Sequence, residues 1–185
     1  MRRRGVLWAL AACLCVPLPS LAAEDALGGS ANVAFLAANA AKPGTIRRPS
    51  GLQYRILRSG TGKRPSGNDV VRLSYAIRLI NGTLADSTTP VLPATLAMGT
   101  VSLAGLAEAL SLMHVGDRWQ LVIPANLAFG DKPAMNGTIP PNQTLVMDTT
   151  LVSAEPPQAG QAVTENPFSV WGNGRENGAA FTLRQ

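Results

Sequence analysis

The sequence predicts an α+β domain in which an antiparallel sheet is wrapped on one short helix. Leu106, Leu110 and Met113 recur at the spacing of one helix face. Gly116 follows them, as a helix stop does. Polar and apolar residues then alternate over 117–123, the period of a half-buried strand. Because a short helix docked on an antiparallel sheet buries both apolar faces, this order predicts the fold class.

Residues 1–23 have the pattern of a secretory signal peptide. Three arginines occupy positions 2–4, an apolar run follows at 6–16, and the small residues at 20–22 suit signal cleavage. The apolar run is too short to span a bilayer as a helix. An alternative is that Cys13 becomes a lipidated N-terminus, although the leader before it is unusually short. We expect that the protein is exported from a bacterial cytoplasm and is either periplasmic or secreted.

Composition and charge indicate a globular protein and show no pattern typical of nucleic-acid binding. The 185 residues suffice for one domain with terminal extensions. Net charge is +5, but without the leader arginines 13 basic residues face 11 acidic ones, and no basic block with interleaved aromatics remains. Both cysteines, Cys13 and Cys15, lie in the leader, so cleavage leaves no thiol for a disulfide or a zinc–thiolate site. We expect no nucleic-acid partner and no membrane span.

Residues 24–50 form the expected N-terminal extension, with a short helix at 30–41. Ser30 is the predicted N-cap, and Pro43 followed by Gly44 ends the helix. The apolar side chains that share a face are Val33, Leu36 and Ala40. With so little apolar surface the helix is marginal alone, so it either packs on the domain or lies loose.

Alternation predicts five strands in the domain that follows. They cover 52–57, 69–80, 94–98, 117–123 and 145–152. The longest strand places on one face Val71, Leu73, Tyr75, Ile77 and Leu79. The pair Asn81-Gly82 predicts a tight turn. Residues 125–142 contain Gly, Pro and Asn throughout and predict one long loop, and loops of that length in compact domains are usually functional.

The segment 155–185 has a composition typical of a disordered tail. Two prolines follow Glu155, and Gln, Gly, Asn and Ala continue the segment with no sustained period. Its aromatic residues are Phe168, Trp171 and Phe181. They could dock as a peptide does, or they could be isolated rings in a mobile tail, which is the simpler interpretation.

Five segments of the predicted domain carry a family resemblance. They are residues 51–54, 82–87, 112–119, 123–130 and 139–145. The third contains Val-Gly-Asp-Arg-Trp, the fourth Ile-Pro and Leu-Ala-Phe-Gly, and the fifth Ile-Pro-Pro-Asn with Thr-Leu. In this order they resemble bacterial, exported members of the FKBP family of peptidyl-prolyl cis–trans isomerases. The resemblance implies an FKBP-like domain over 51–154: a five-stranded antiparallel half-barrel sheet wrapped on one short helix.

The activity that the resemblance implies is rotation about the peptide bond before proline. This rotation crosses a barrier of about 18–20 kcal/mol because it breaks amide resonance. An apolar pocket that removes water from the amide favours the twisted state, so no nucleophile, metal, cofactor or general base is needed. The expected partners are proline-containing segments of exported proteins.

The resemblance also implies five catalytic-site residues: Tyr75, Asp86, Leu103, Phe129 and Ile139. Tyr75 and Ile139 correspond to pocket residues, and Asp86 corresponds to the aspartate near the reacting carbonyl. The backbone N–H of Leu103 corresponds to the group that holds the substrate. Phe129 stands where a tyrosine usually donates its hydroxyl to the ligand. Tyr75 and Phe129 could also be core aromatics of any sheet, and Asp86 could cap a turn.

Six further positions correspond to the substrate-binding surface: Ala85, Ala94, Met98, Ser102, Leu106 and Met147. Ala85, Ala94 and Met147 replace aromatic residues of the family, and Leu106 replaces a tryptophan. Each ring would bury about 150–250 Å², so we expect the proline site to be shallower or differently filled. The predicted function is an isomerase whose activity the missing rings would lower. The alternative is an FKBP-fold binding or chaperone module with weak catalysis.

Overall fold

The computed structural model describes residues 26–89, 91–158, 162–163 and 181–182. The predicted signal peptide, with Cys13 and Cys15, lies outside the described residues, as do Phe168 and Trp171 of the tail. Four tail residues are described: Ala162–Val163 pairs antiparallel with Phe181–Thr182. At these four residues the chain is paired rather than disordered. The rest of the predicted disorder after residue 158 falls outside the described part.

Seven strands and two helices build the domain. In chain order they are α1 (Gly29–Ala40), β1 (Ile46–Arg47), β2 (Gln53–Arg58), β3 (Val70–Leu79), β4 (Leu84–Ser87), β5 (Ala94–Ala97), α2 (Ala104–Leu112), β6 (Arg118–Ile123) and β7 (Leu145–Glu155). The sheet order is β1-β2-β6-β7-β3-β4, with β5 also paired to β3, and every pairing is antiparallel. The predicted α+β fold is confirmed. The sheet gains two short strands, β1 and β4, which are too short and too exposed to show an alternating pattern.

The core lies between α2 and the inner face of the sheet. All five alternate residues of β3 predicted to share a face are buried there: Val71, Leu73, Tyr75, Ile77 and Leu79. From α2 and its C-cap, Leu106, Leu110 and Met113 are fully buried against them. The predicted apolar faces of α2 and β3 are therefore confirmed.

The turn between α2 and β6 differs from its prediction in one respect. α2 ends at Leu112, so Gly116 lies beyond the helix end and is not its stop. Gly116 has φ +95°, a left-handed conformation that suits glycine. It lies in a tight turn closed by the Asp117 N–H, which donates to the His114 carbonyl over 2.9 Å. The glycine thus reverses the chain between helix and strand.

Gly105 sets how closely α2 approaches β6. A Cβ atom at this position would lie 2.5 Å from Cγ2 of Ile123, which is closer than any relaxed contact. Gly29, the first residue of α1, is the opposite case, because a Cβ atom there would meet no heavy atom within 4 Å. Both glycines lie in the first turn of a helix, so they form a matched pair.

Gly105→Ala is expected to lower the free energy of unfolding by about 1–3 kcal/mol, because the added methyl group overpacks the contact with Ile123. Gly29→Ala should be neutral or stabilising by up to about 1 kcal/mol, because alanine favours the helix and lowers the entropy of the unfolded chain. Urea unfolding of the two variants measures the difference. Equal effects would contradict the close α2–β6 contact.

α1 packs on the domain, and its buried face overlaps the predicted one only in part, because Leu36 and Ala40 are half-buried. Its N-cap is Gly28 rather than Ser30, and its buried residues are Asn32 and Asn39. Val33, expected on the buried face, is 68% exposed. The two asparagines are seven residues apart and therefore on one face of the helix. Hydrogen-bonding amides, rather than an apolar stripe, attach this helix to the sheet.

The position of α1 also explains a burial difference in β6. The alternation over 117–123 places Val122 on the same face as Arg118 and Gln120, yet Val122 is fully buried. It pairs with Gln53 of β2, whose side chain accepts a hydrogen bond from Asn39 of α1. α1 therefore covers the outer face of the sheet at this corner. As a result β6, which was predicted to be half-buried, is buried on both faces at its C-terminal end.

The loop before β3 is fixed by one carboxylate. Asp69 accepts hydrogen bonds from the Ser66 N–H over 3.1 Å and from the Ser66 hydroxyl over 2.8 Å, and it pairs with Lys63 Nζ at 3.2 Å. These Ser66 hydrogen bonds, followed by the interaction with Lys63, hold the pKa of Asp69 below its ordinary value of 3.8. The carboxylate therefore stays ionised, and keeps its partners, well into the acid range.

Candidate functional site

Tyr75 and Asp86 meet at the edge of the sheet that β3 and β4 form. Asp86 is paired with Ile77, and Tyr75 lies two residues earlier on the same face of β3. Such diagonal neighbours are within reach of a long aromatic side chain. The Tyr75 hydroxyl donates to Oδ2 of Asp86 over 2.7 Å, while the residue is only 5% exposed. A buried ring thus presents its one polar atom to a partly exposed carboxylate.

Thr88 fixes the backbone of Tyr75. Its Oγ1 accepts from the Tyr75 N–H over 2.8 Å, and its own N–H donates to the Tyr75 carbonyl over 2.9 Å. This pairing continues the ladder beyond Ser87, the last residue of β4. Sequence reasoning did not single out Thr88, because a hydroxyl residue after a short strand carries no distinctive pattern.

The N-terminus of α2 supplies a backbone donor. Leu103 is the N-cap residue, and its carbonyl accepts from the Ala107 N–H over 2.9 Å. Within the part of the chain that the structure describes, the Leu103 N–H takes no hydrogen bond. The N–H groups at a helix start have no partner inside the helix, so this one can donate to an external carbonyl. Ser102, just before it, is exposed.

The site loop, residues 124–144 between β6 and β7, contributes Phe129 and Ile139. As predicted, it holds no strand, although it contains a short 3₁₀ turn at Ala125–Leu127 and an isolated bridge between Ala134 and Ile139. Ile139 is fully buried, and Phe129 is 7% exposed. The Ala134 and Ile139 backbones exchange hydrogen bonds of 2.9 and 3.1 Å. Both side chains are therefore presented by a hydrogen-bonded loop.

The structure gathers the predicted site residues around one core. Seven of them lie in the continuous buried cluster: Tyr75, Ala94, Leu103, Leu106, Phe129, Ile139 and Met147. Ala85 and Met98 pack against this cluster while partly exposed, and Asp86 joins through the Tyr75 hydroxyl. Ser102 is the exception, since it is exposed and outside the cluster.

Aliphatic side chains close the base of this region. Leu106 and Met147 are both fully buried, and Met147 pairs across the sheet with Ile77. Two surface cavities, of about 390 and 250 Å³, lie along α1 instead, and no predicted site residue lines either one. The site residues therefore pack closely on one another around the rings of Tyr75 and Phe129.

Neither a metal-binding cluster nor a membrane-spanning helix occurs in the described part of the chain. It contains no group of three or more His, Cys, Asp or Glu side chains placed to hold a metal ion. None of its helices combines the length and apolar character needed to cross a membrane. What the site offers is an apolar surface, a hydroxyl–carboxylate pair and a backbone N–H, a set suited to binding an amide and removing water from it.

Comparison with known proteins agrees with this geometry. The family model described as FKBP-type peptidyl-prolyl cis-trans isomerase matches residues 62–152. A crystal structure of a peptidyl-prolyl cis-trans isomerase from Pseudomonas syringae superposes with a TM-score of 0.63 at 32% identity, over 68% of this chain and 92% of that one. This chain belongs to the FKBP-type family. The family resemblance drawn from the five sequence segments is thereby confirmed.

Curated bacterial members of the FKBP family are also similar. The outer membrane protein MIP of Legionella longbeachae is 44% identical over 123 residues, 66% of this chain and 52% of that protein. The FKBP-type 22 kDa peptidyl-prolyl cis-trans isomerase of Escherichia coli is 41% identical over 121 residues, 65% of this chain and 58% of that protein. The chain thus spans about half the length of these relatives.

Proposed function

We propose that this chain is a peptidyl-prolyl cis–trans isomerase that accelerates rotation about Xaa-Pro bonds in exported proteins. The observation that carries the proposal is the hydrogen bond from Tyr75 to Asp86 at the rim of an apolar cluster. Family membership supports it, because the matched region includes both residues. The names of the Pseudomonas syringae and Escherichia coli proteins describe the same activity for those proteins.

In the proposed mechanism the proline ring packs on Tyr75, Phe129 and Ile139. Water leaves the amide, which weakens the dipolar resonance form that keeps the bond planar. The Leu103 N–H donates a hydrogen bond to the neighbouring substrate carbonyl, and Asp86 faces the rotating carbonyl. Catalysis then comes from binding the twisted amide better than either planar isomer.

The remaining predicted residues form the surface beneath and around the ring. Leu106 and Met147 make the floor, and Ala85, Ala94 and Met98 make the rim, with Ser102 at the exposed edge. Small or aliphatic side chains stand at positions where the family places rings. We therefore propose a shallower, less aromatic site than is usual in the family.

A second candidate is a binding or chaperone module with weak catalysis. Phe129 favours it, because phenylalanine has no hydroxyl to donate to a bound carbonyl. Leu106 favours it as well, since a leucine floor offers less contact to a proline ring than a tryptophan would. In this case the apolar cluster would retain unfolded chains without rotating their proline bonds efficiently.

Isomerisation of short Xaa-Pro peptides, with the residue before proline varied, tests the two candidates. If the chain is an isomerase, we expect a clear acceleration over the uncatalysed reaction, which takes tens to hundreds of seconds at 25 °C. No acceleration with any peptide would overturn it. Binding of an unfolded, proline-containing protein by the same preparation would then support the second candidate.

We further propose that residues 1–23 direct export to the periplasm or outside the cell and are removed. The support is the charge and hydropathy pattern of that segment. The proposed mature chain has an extension at 24–50, an isomerase domain at 51–154 and a tail at 155–185. N-terminal sequencing of the purified protein tests this: a start near residue 23 or 24 supports cleavage, and a lipid on Cys13 would replace it with anchoring.

A further inference from the structure

We propose that α1 holds the site loop in its working conformation and that Asn32 is the positioning residue. The proposal rests on the isomerase function above, because Phe129 and Ile139 of the loop are the side chains that need positioning. α1 lies before the region matched by the family model, which begins at residue 62. Its contacts with the loop are therefore a feature of this chain beyond the matched domain.

Asn32 uses both ends of its amide. Its Oδ1 accepts from the Thr144 N–H over 2.7 Å, and Thr144 is the last residue of the site loop. Its Nδ2 donates to the carbonyls of Leu27 and Gly28 over 3.1 and 3.0 Å. The residue is 5% exposed, so these bonds are protected from competition by water. Asn32 therefore ties the start of α1 to the end of the loop.

Gln143, a residue of the site loop, adds further hydrogen bonds between this loop and the start of α1. Its Nε2 donates to the Leu27 carbonyl over 3.0 Å and to the Pro141 carbonyl over 3.1 Å. Its Oε1 lies 3.4 Å from Asn32 Nδ2. Both amides are buried, and removal of either one would leave the other without part of its hydrogen bonding.

The connection continues to Phe129. The Asn142 N–H, two residues before Thr144, donates to the Gly130 carbonyl over 2.7 Å. The Gly130 N–H in turn donates to the Ala125 carbonyl over 2.8 Å. Gly130 directly follows Phe129, so the path from Asn32 to that ring runs through the hydrogen bond to Thr144, the backbone of 142–144 and the hydrogen bond from Asn142 to Gly130.

Apolar side chains of α1 and of the loop line a surface cavity. The cavity of about 390 Å³ lies between them, with Val33 and Leu36 on the helix side and Pro124 on the loop side. Val33 is also 68% exposed. The buried amide hydrogen bonds of Asn32 to Thr144 and to Gln143 therefore form the polar restraint between the helix and the loop.

Asn39 provides a matched control. It lies on the same face of α1 and is equally buried, but its Nδ2 donates to Gln53 Oε1 of β2 over 2.9 Å. Gln53 Nε2 returns a bond of 3.0 Å to the Leu36 carbonyl. Asn39→Ala therefore weakens the docking of the same helix without touching the site loop.

The test measures amide hydrogen exchange and isomerisation in the full chain for Asn32→Ala and Asn39→Ala. In Asn32→Ala we expect exchange at Asn142 and Gly130 to become about tenfold faster, because a lost buried hydrogen bond changes a local opening equilibrium by that factor. We expect kcat/KM to fall about tenfold, mainly through KM, because the substrate must then order the loop. Asn39→Ala should change neither by more than about twofold.

The variant Asn32→Asp retains an oxygen for the Thr144 N–H but loses the donor to the Leu27 and Gly28 carbonyls, so exchange at Asn142 should stay faster than in the wild type. The proposal is overturned if Asn32→Ala leaves exchange at Asn142 and Gly130 unchanged, or if Asn39→Ala has the same effects. It is also overturned if the loop exchanges faster while kcat and KM stay constant. If wild type shows no isomerisation, the proposed function fails separately, because the exchange data still decide whether Asn32 restrains the loop.

Discussion

Asp117→Ala is expected to lower the free energy of unfolding by about 3–5 kcal/mol, because two backbone donors each lose a charge-assisted hydrogen bond. Asp117 is 3% exposed. Its carboxylate accepts from the Gly60 N–H and from the His114 N–H, the latter over 2.7 Å. It thereby joins the loop after β2 to the turn between α2 and β6. Urea unfolding followed by circular dichroism measures the loss.

Two variants control this prediction. Asp117→Asn keeps one carbonyl oxygen in nearly the same volume, so it should lose about half as much. Asp131→Ala removes an exposed aspartate from the site loop and should change stability by less than about 0.5 kcal/mol. A loss below about 1 kcal/mol in Asp117→Ala would contradict the role given to its hydrogen bonds.

The part of the fold that depends on apolar periodicity could be predicted from the sequence. β3 alternates in burial from Val71 to Leu79, and α2 carries Leu106 and Leu110 on one face. In both elements the buried residues are also the apolar ones, so pattern and burial agree. The order of helix, turn and strand then left few topologies other than the one observed.

The sequence predicts that α1 is a helix, but it does not predict that this helix packs on the domain or which of its faces is buried. Its buried residues, Asn32 and Asn39, are polar, and a hydropathy pattern assigns polar residues to the solvent. Their partners, Gln53 and Gln143, lie 14 and 111 residues away along the chain. Such pairings depend on tertiary geometry, and the seven-residue spacing of two asparagines was the only local signal.

The candidate site, too, could be predicted from the sequence only in part. Its positions came from the family resemblance, whereas the contact between Tyr75 and Asp86 depends on how β3 and β4 are aligned. That alignment includes an irregularity between Ile77 and Arg78. A shift of one residue would place Asp86 on the other face of the strand. The sequence does not specify this register, so the hydrogen bond could be found only in the structure.

Asp86→Ala is expected to lower kcat/KM for Xaa-Pro peptides about 10–100-fold, which corresponds to the roughly 1.5–3 kcal/mol typical of a hydrogen bond to a charged group. The carboxylate is partly exposed on β4, a short edge strand, so stability should change by less than about 1 kcal/mol. The protease-coupled isomerisation assay measures the activity. Ser87→Ala, at the exposed next position of β4, is the matched control and should retain activity.

A double-mutant cycle with Tyr75→Phe separates the two ways in which Asp86 can act. Tyr75→Phe keeps the ring in the apolar cluster and removes only the hydroxyl that Asp86 accepts. If Asp86 works by fixing Tyr75, the double variant will be no slower than Tyr75→Phe, because the shared bond is already lost. If Asp86 instead faces the rotating carbonyl directly, its removal will slow the Tyr75→Phe enzyme by nearly the full factor. Wild-type activity that Asp86→Ala leaves unchanged would reduce Asp86 to a residue that shapes the turn after β4.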